Sequence, residues 1–141
     1  MRRTAVVGLL LAALALVAPV ALAFHGQRVF VAGHGCSGAT VRPTSITLAC
    51  GDGNLYATGI GYSAYGGKVA PGSATFHLNG CEPNCADGRF RSARGTITLH
   101  DTVRCSDGRL YYERARYSFP GRFGTGNADI EPFKHCSTIL G

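Results

Sequence analysis

Tryptophan is absent, and charged residues make up only 16% of the 141-residue chain. Little charge beside a hydrophobic share of 45% excludes a wholly disordered chain. No segment sustains a 3.6-residue apolar period, which excludes a helical domain. Beyond residue 23 no stretch is long and apolar enough to span a bilayer. Gly-x-Ser-x-Gly, a Walker loop and His-Glu-x-x-His do not occur, so those hydrolase, nucleotide and zinc-protease signatures are excluded. A length of 141 leaves room for one domain and none for a separate cofactor domain.

What is present begins with a leader. Met1-Arg2-Arg3 is a positive n-region, Thr4 to Ala18 is nearly all Ala, Val and Leu, and Ala21-Leu22-Ala23 is a small-x-small cleavage site. The order predicts a signal peptide over 1–23, and the interruption at Gly8 and stop at Pro19 make the run too short for an anchor. Residues 24–141 are then one secreted domain, extracellular or associated with the cell wall. Loss of Arg2 and Arg3 lowers the formal charge from +6 to +4. Cys36, Cys50, Cys81, Cys85, Cys105 and Cys136 are an even set behind a leader, which predicts disulfides in an oxidising compartment. Six cysteines allow 15 pairings. Cys36 with Cys136 is expected because domain ends often meet. Cys81–Cys85 would be a local clip, and the remaining choices stay open. Zinc at Cys81-x3-Cys85 lacks a second ligand pair, so no metal or cofactor is expected.

Short alternating segments separated by glycine and proline predict an all-β fold, a small disulfide-stapled sandwich or barrel of five to seven short antiparallel strands. Strands are expected over 27–32, 45–50, 55–63 and 73–79, with a bulge or close packing at Gly59 and Gly61. The clearest signal runs from Thr96 to Phe119 and reads as a hairpin. A two-residue Asp107-Gly108 turn would set Leu99 against Arg116, core against solvent. A three-residue Ser106-Asp107-Gly108 loop pairs Leu99 with Ala115, Ile97 with Tyr117 and Val103 with Tyr111, which keeps one face apolar. Gly108 then takes the left-handed position of a bulged loop. From about 121 the tail is expected to be irregular.

The run Pro43 to Asn54 (PTSITLACGDGN), Tyr62-x-x-Tyr65-Gly66 and Asn79 to Gly88 (NGCEPNCADG) together resemble a family of small secreted actinobacterial proteins of unknown function. That family pairs a Cys-x-Asp turn, an aromatic-x-x-aromatic-Gly element and a Cys-x-Pro-x-Cys-Ala-x-Gly loop, usually with Trp where this chain has Tyr62 and Tyr65. The resemblance spans about Pro43 to Phe119 and implies no activity.

Several side chains are candidates for chemistry. Tyr62 and Tyr65 would form a sugar-stacking platform if Gly66-Gly67 starts a bend, since three-residue spacing otherwise splits them between faces. Asp101 and Glu113 fall opposite each other on the apolar face in the register above. Two carboxylates roughly 5 Å apart suit a retaining glycosidase or a cation site, whereas a bulge, a solvent opening or an Arg would make the pair structural. His77 and His100 lie on outward faces, and His100 would oppose Arg114 near Arg116. With Glu113 on the other face, this does not converge into a ribonuclease set. His25 would bind copper only after cleavage behind Phe24, a poor site. Arg89, Arg91 and Arg94, with Arg104, Arg114 and Arg116, are a solvated surface or a face for anionic polymers.

The expected function is a secreted, non-catalytic β-domain binding an extracellular protein or cell-wall polymer, as a monomer and not through nucleic acid. Tyr62, Tyr65, Arg114 and Arg116 are its ligand-binding candidates. The alternatives are a small hydrolase using Asp101 and Glu113, or a protease inhibitor presenting the loop from Cys81 to Arg91.

Overall fold

The computed structural model describes residues 27–32, 36, 38–121, 124–130 and 136. The leader, Phe24 and His25 lie outside the described residues. Among those described there is no α-helix. The strands are β1 (Val29–Val31), β2 (Thr40–Val41), β3 (Ser45–Thr47), β4 (Leu55–Tyr62), β5 (Ala70–Asn79), β6 (Phe90–Arg104), β7 (Leu110–Ser118) and β8 (Thr125–Asp129). They form one sheet in the order β2-β1-β7-β6-β5-β4-β3, with β8 also on β7. The all-β, stapled architecture is as expected. The count is eight, and β1 runs parallel to β7.

Chain connectivity makes this sheet curl. β2 and β3 stand at opposite ends of the path, yet only Arg42, Pro43 and Thr44 separate them. Seven strands laid flat would put those ends about 29 Å apart at ~4.8 Å per strand. Three linking residues reach about 14 Å at most. The result is a half-barrel whose concave side holds Ile46, Phe76, Ile97, Leu99 and Tyr112. The link from β4 to β5 ties the rims together, because the Tyr65 hydroxyl donates to the Val29 carbonyl at 2.8 Å.

The β6–β7 hairpin has the expected register, with Leu99 opposite Ala115, Ile97 opposite Tyr117 and Val103 opposite Tyr111. Gly108 is left-handed at φ 76°, and the Cys105 amide donates to the Arg109 carbonyl across a three-residue loop. β4 bulges between Thr58 and Gly61, with Gly59 at φ 60°.

Two expectations are corrected. Cys36 bonds Cys50 and Cys105 bonds Cys136, so the Cys36–Cys136 pair is not formed; Cys81–Cys85 is the local clip. Cys136 packs with Cys105, Tyr111 and Ala32 in a second small core at the β6–β7 turn, which fixes its partner. The tail is not irregular from 121, since β8 extends the sheet along β7 from Ser118–Thr125 to Arg114–Asp129.

Candidate functional site

One open feature of the sheet is a stretch of strand edge along β6. β6 has 15 residues, and β5 covers 90–99 while β7 covers only 96–104. Residues Phe90 to Gly95 therefore have no strand beside them on the β7 side, among the described residues. The pairing phase is readable from the ends. The Gly80 amide donates to the Arg89 carbonyl at 3.4 Å, so the odd residues at this end of β6 aim their backbone groups at β5. The even residues Phe90, Ser92 and Arg94 aim theirs at the vacant side.

β7 turns away for local reasons. Continued in register, it would set Pro120 against Arg94, and proline has no N–H to give. Gly121 at φ 119° and the hydrogen bond between the Phe119 amide and the Gly124 carbonyl reverse the chain into β8. Phe119 drops its ring onto Phe76, stacked with centroids 4.8 Å apart. Gly95 permits the crossing, because a Cβ there would overlap the Ser118 carbonyl oxygen and stand 2.7 Å from Phe119 Cβ.

Between the edge and this turn lies a groove of about 440 Å³. Leu78, Ala93, Phe119 and Pro120 give it an apolar lining, and Arg91 and Glu82 supply its charges. That volume lies within the roughly 300–1,000 Å³ of small-ligand sites. Among the described residues, no carboxylate is within ion-pair distance of Arg91. The Glu82 end is rigid. Asn79 is buried, donates to Asn54 Oδ1 at 3.0 Å and the Cys85 carbonyl at 2.8 Å, and accepts from the Cys81 amide at 3.0 Å. One side chain thus holds the clipped loop against the sheet.

The expected site residues go elsewhere. Tyr62 is 8% exposed, and its ring packs edge-on to Tyr65 at 4.9 Å, which meets Tyr112 in the same way at 5.6 Å. A bend does bring Tyr62 and Tyr65 together, but into the core, so they offer no platform. The Tyr62 hydroxyl is buried without a partner among the described residues. Burial pushes its pKa well up, and pushes that of Tyr65 up to about 12.

Asp101 and Glu113 do not face each other on the apolar side. Asp101 sits at φ 55° with its side chain 52% exposed, 3.1 Å from His100 Nδ1 and 3.8 Å from Arg114. The alternation breaks here. Tyr112 and Ala115, three apart, both face the main core, while Tyr111 faces the second one. The Asp101 carboxylate, turned out by this irregularity, meets water and a guanidinium. Arg114 also reaches Asp129 at 3.3 Å, so its charge is shared. Arg116 is exposed opposite Thr98 and Asn127, away from the groove. His77 is outward as expected, stacked on Tyr56 at 4.5 Å and bonded at 2.8 Å to both Thr58 and Ser92. Phe90 and Arg91, the end of the candidate inhibitor segment, are strand residues paired with Asn79 and Leu78, and residues 81–89 before them form a largely exposed loop.

In the sequence Arg91 stands in a basic run and at the end of the candidate inhibitor loop. Its role as the groove's cation depends on β6 beginning at Phe90, six residues before the alternation at Thr96 becomes clear. The alternation of Ala93 and Gly95 with Ile97 was the available signal, and two small residues made it faint. Compared with known proteins, the chain matches no family model, no curated sequence and no solved structure.

Proposed function

We propose that this chain is a secreted, non-catalytic module that holds an extracellular protein or cell-wall polymer in the groove beside β6. The observation that carries the reading is Arg91, a guanidinium with no ion pair among the described residues, at an apolar groove whose loop is held by Asn79. Three disulfides and the absence of a membrane-crossing helix among the described residues fit an extracellular setting. Membership of the small secreted actinobacterial group belongs to the same proposal. The hydrolase reading loses its motivation with Asp101 turned outward beside Arg114.

The test is capture of the oxidised protein on insoluble wall glycans and on immobilised secreted proteins, across a salt series, beside Arg91→Glu. Capture that Arg91→Glu abolishes and Tyr62→Phe leaves intact is the expected result. Release of soluble fragments by the protein, lost in Glu113→Gln, would overturn it in favour of the hydrolase.

A further inference from the structure

We infer that the free edge of β6 takes up an extended acidic peptide as an added strand, antiparallel to β6 and continuing the line that β7 leaves at Ser118. The inference rests on the binding reading above and names its ligand class. Phe90, Ser92 and Arg94 present N–H and C=O groups at alternate positions, the spacing that an added strand satisfies with its own backbone. Strand addition would complete the ladder that Pro120 interrupts.

Side chains directly opposite in an antiparallel pair share a face. A peptide residue opposite Ala93 therefore meets Leu78 and Phe119 in the groove. The residue opposite Arg91, two further along the peptide, meets the guanidinium. The pattern selected is apolar, any residue, acidic, read from N to C. Glu82 lies at the far end of the groove and opposes a second acid beyond that point. A second copy of this chain is the poorer occupant. Self-pairing about Ser92 would set Arg91 opposite Ala93 and leave the two Arg91 side chains diagonal to each other on one face, where like charges repel and no acid answers them.

The probe is acetyl-Thr-Thr-Val-Thr-Glu-Thr-Thr-amide, titrated into the ¹⁵N-labelled, oxidised protein. Bound, its Val sits opposite Ala93, its central Thr opposite Ser92 and its Glu opposite Arg91. Amide exchange should slow at Phe90, Ser92 and Arg94, and stay unchanged at Arg91 and Ala93, which already face β5. N-methylation of the central Thr, whose N–H faces β6, should weaken binding by about tenfold or more, since it removes a strand hydrogen bond and adds a clash. N-methylation of the Glu, whose N–H faces away, should leave it unchanged. Replacing Glu by Lys should weaken it about tenfold, and Arg91→Glu should restore it.

Equal binding of both N-methyl peptides, or no rescue by Arg91→Glu, overturns strand addition. No peptide binding, with Arg91-dependent capture on wall glycan intact, overturns it while the binding reading stands. A dimer in sedimentation that Ser92→Pro dissolves would make the occupant a second copy and overturn it also.

Discussion

At the scale of single residues the tyrosines are the most informative. Tyr62 and Tyr65 stand three apart, which in a straight strand would separate them. The bend over 63–65 returns both to the core, where among the described residues the Tyr65 hydroxyl has a partner and the Tyr62 hydroxyl has none. Two consequences follow for substitution. Tyr62→Phe removes a buried hydroxyl that bonds none of the described residues and should be neutral or slightly stabilising. Tyr65→Phe strands the Val29 carbonyl and should cost about 1 kcal/mol, read as a lower urea midpoint. Both pKa values are raised above 10 by burial. The folded state thus keeps protons that the unfolded chain gives up, and stability is complete below pH 10. It should fall as the pH rises through 10 towards about 12, where Tyr65 ionises in place. Urea midpoints at pH 9, 10 and 11 check this; a flat profile would mean that the rings are not buried as described. A double Tyr62→Phe/Tyr65→Phe variant should lose much of the slope.

At the scale of elements, Gly95 decides where the β6–β7 ladder ends. Its missing side chain lets Ser118 and Phe119 cross the face of β6. Gly95→Ala forces that crossing apart and should destabilise by about 1–3 kcal/mol, the ordinary cost of overpacking. Hydrogen exchange should quicken at Ser118 to Gly121 in particular. Gly80→Ala is the control, because a Cβ there meets nothing within 4 Å, and it should change stability by less than about 0.5 kcal/mol. The same element shows what was legible in advance. The register from Thr96 to Phe119 could be read because alternation ran unbroken through Ile97 and Leu99 and only the three-residue Ser106-Asp107-Gly108 loop kept one face apolar. The same logic misplaced Asp101, since a single residue at φ 55° interrupts the alternation and nothing in an aspartate announces it. The open edge was invisible for another reason. It is a mismatch in length between two strands, and β6 is hard to extend back to Phe90 through Arg, Ser, Ala and Gly.

At the scale of the whole molecule, connectivity and crosslinks act on different states. The link Arg42 to Thr44 curls the folded sheet, whereas the disulfides restrict the unfolded chain. Sequence could say that six cysteines would pair, but the partners follow from topology. Cys105 finds Cys136 only because the β6–β7 turn and the end of the chain share the second core. The three closed loops span 14, 4 and 31 residues and do not overlap along the chain. Their entropic effects should therefore add. Chain-entropy arithmetic gives about 3 kcal/mol for Cys36–Cys50, about 2 for Cys81–Cys85 and about 4 for Cys105–Cys136. Paired Cys→Ser variants should lose least at Cys81–Cys85, more at Cys36–Cys50 and most at Cys105–Cys136. Calorimetry of the three double variants decides it. If losing Cys81–Cys85 proved as damaging as losing Cys105–Cys136, unfolded-state restriction would not be the main effect. The clip would then act in the folded state, by holding the loop that Asn79 anchors at the end of the groove. Asn79→Ala separates the two cases. With the clip intact, it should loosen residues 80–88 in hydrogen exchange while leaving the unfolded-state restriction unchanged.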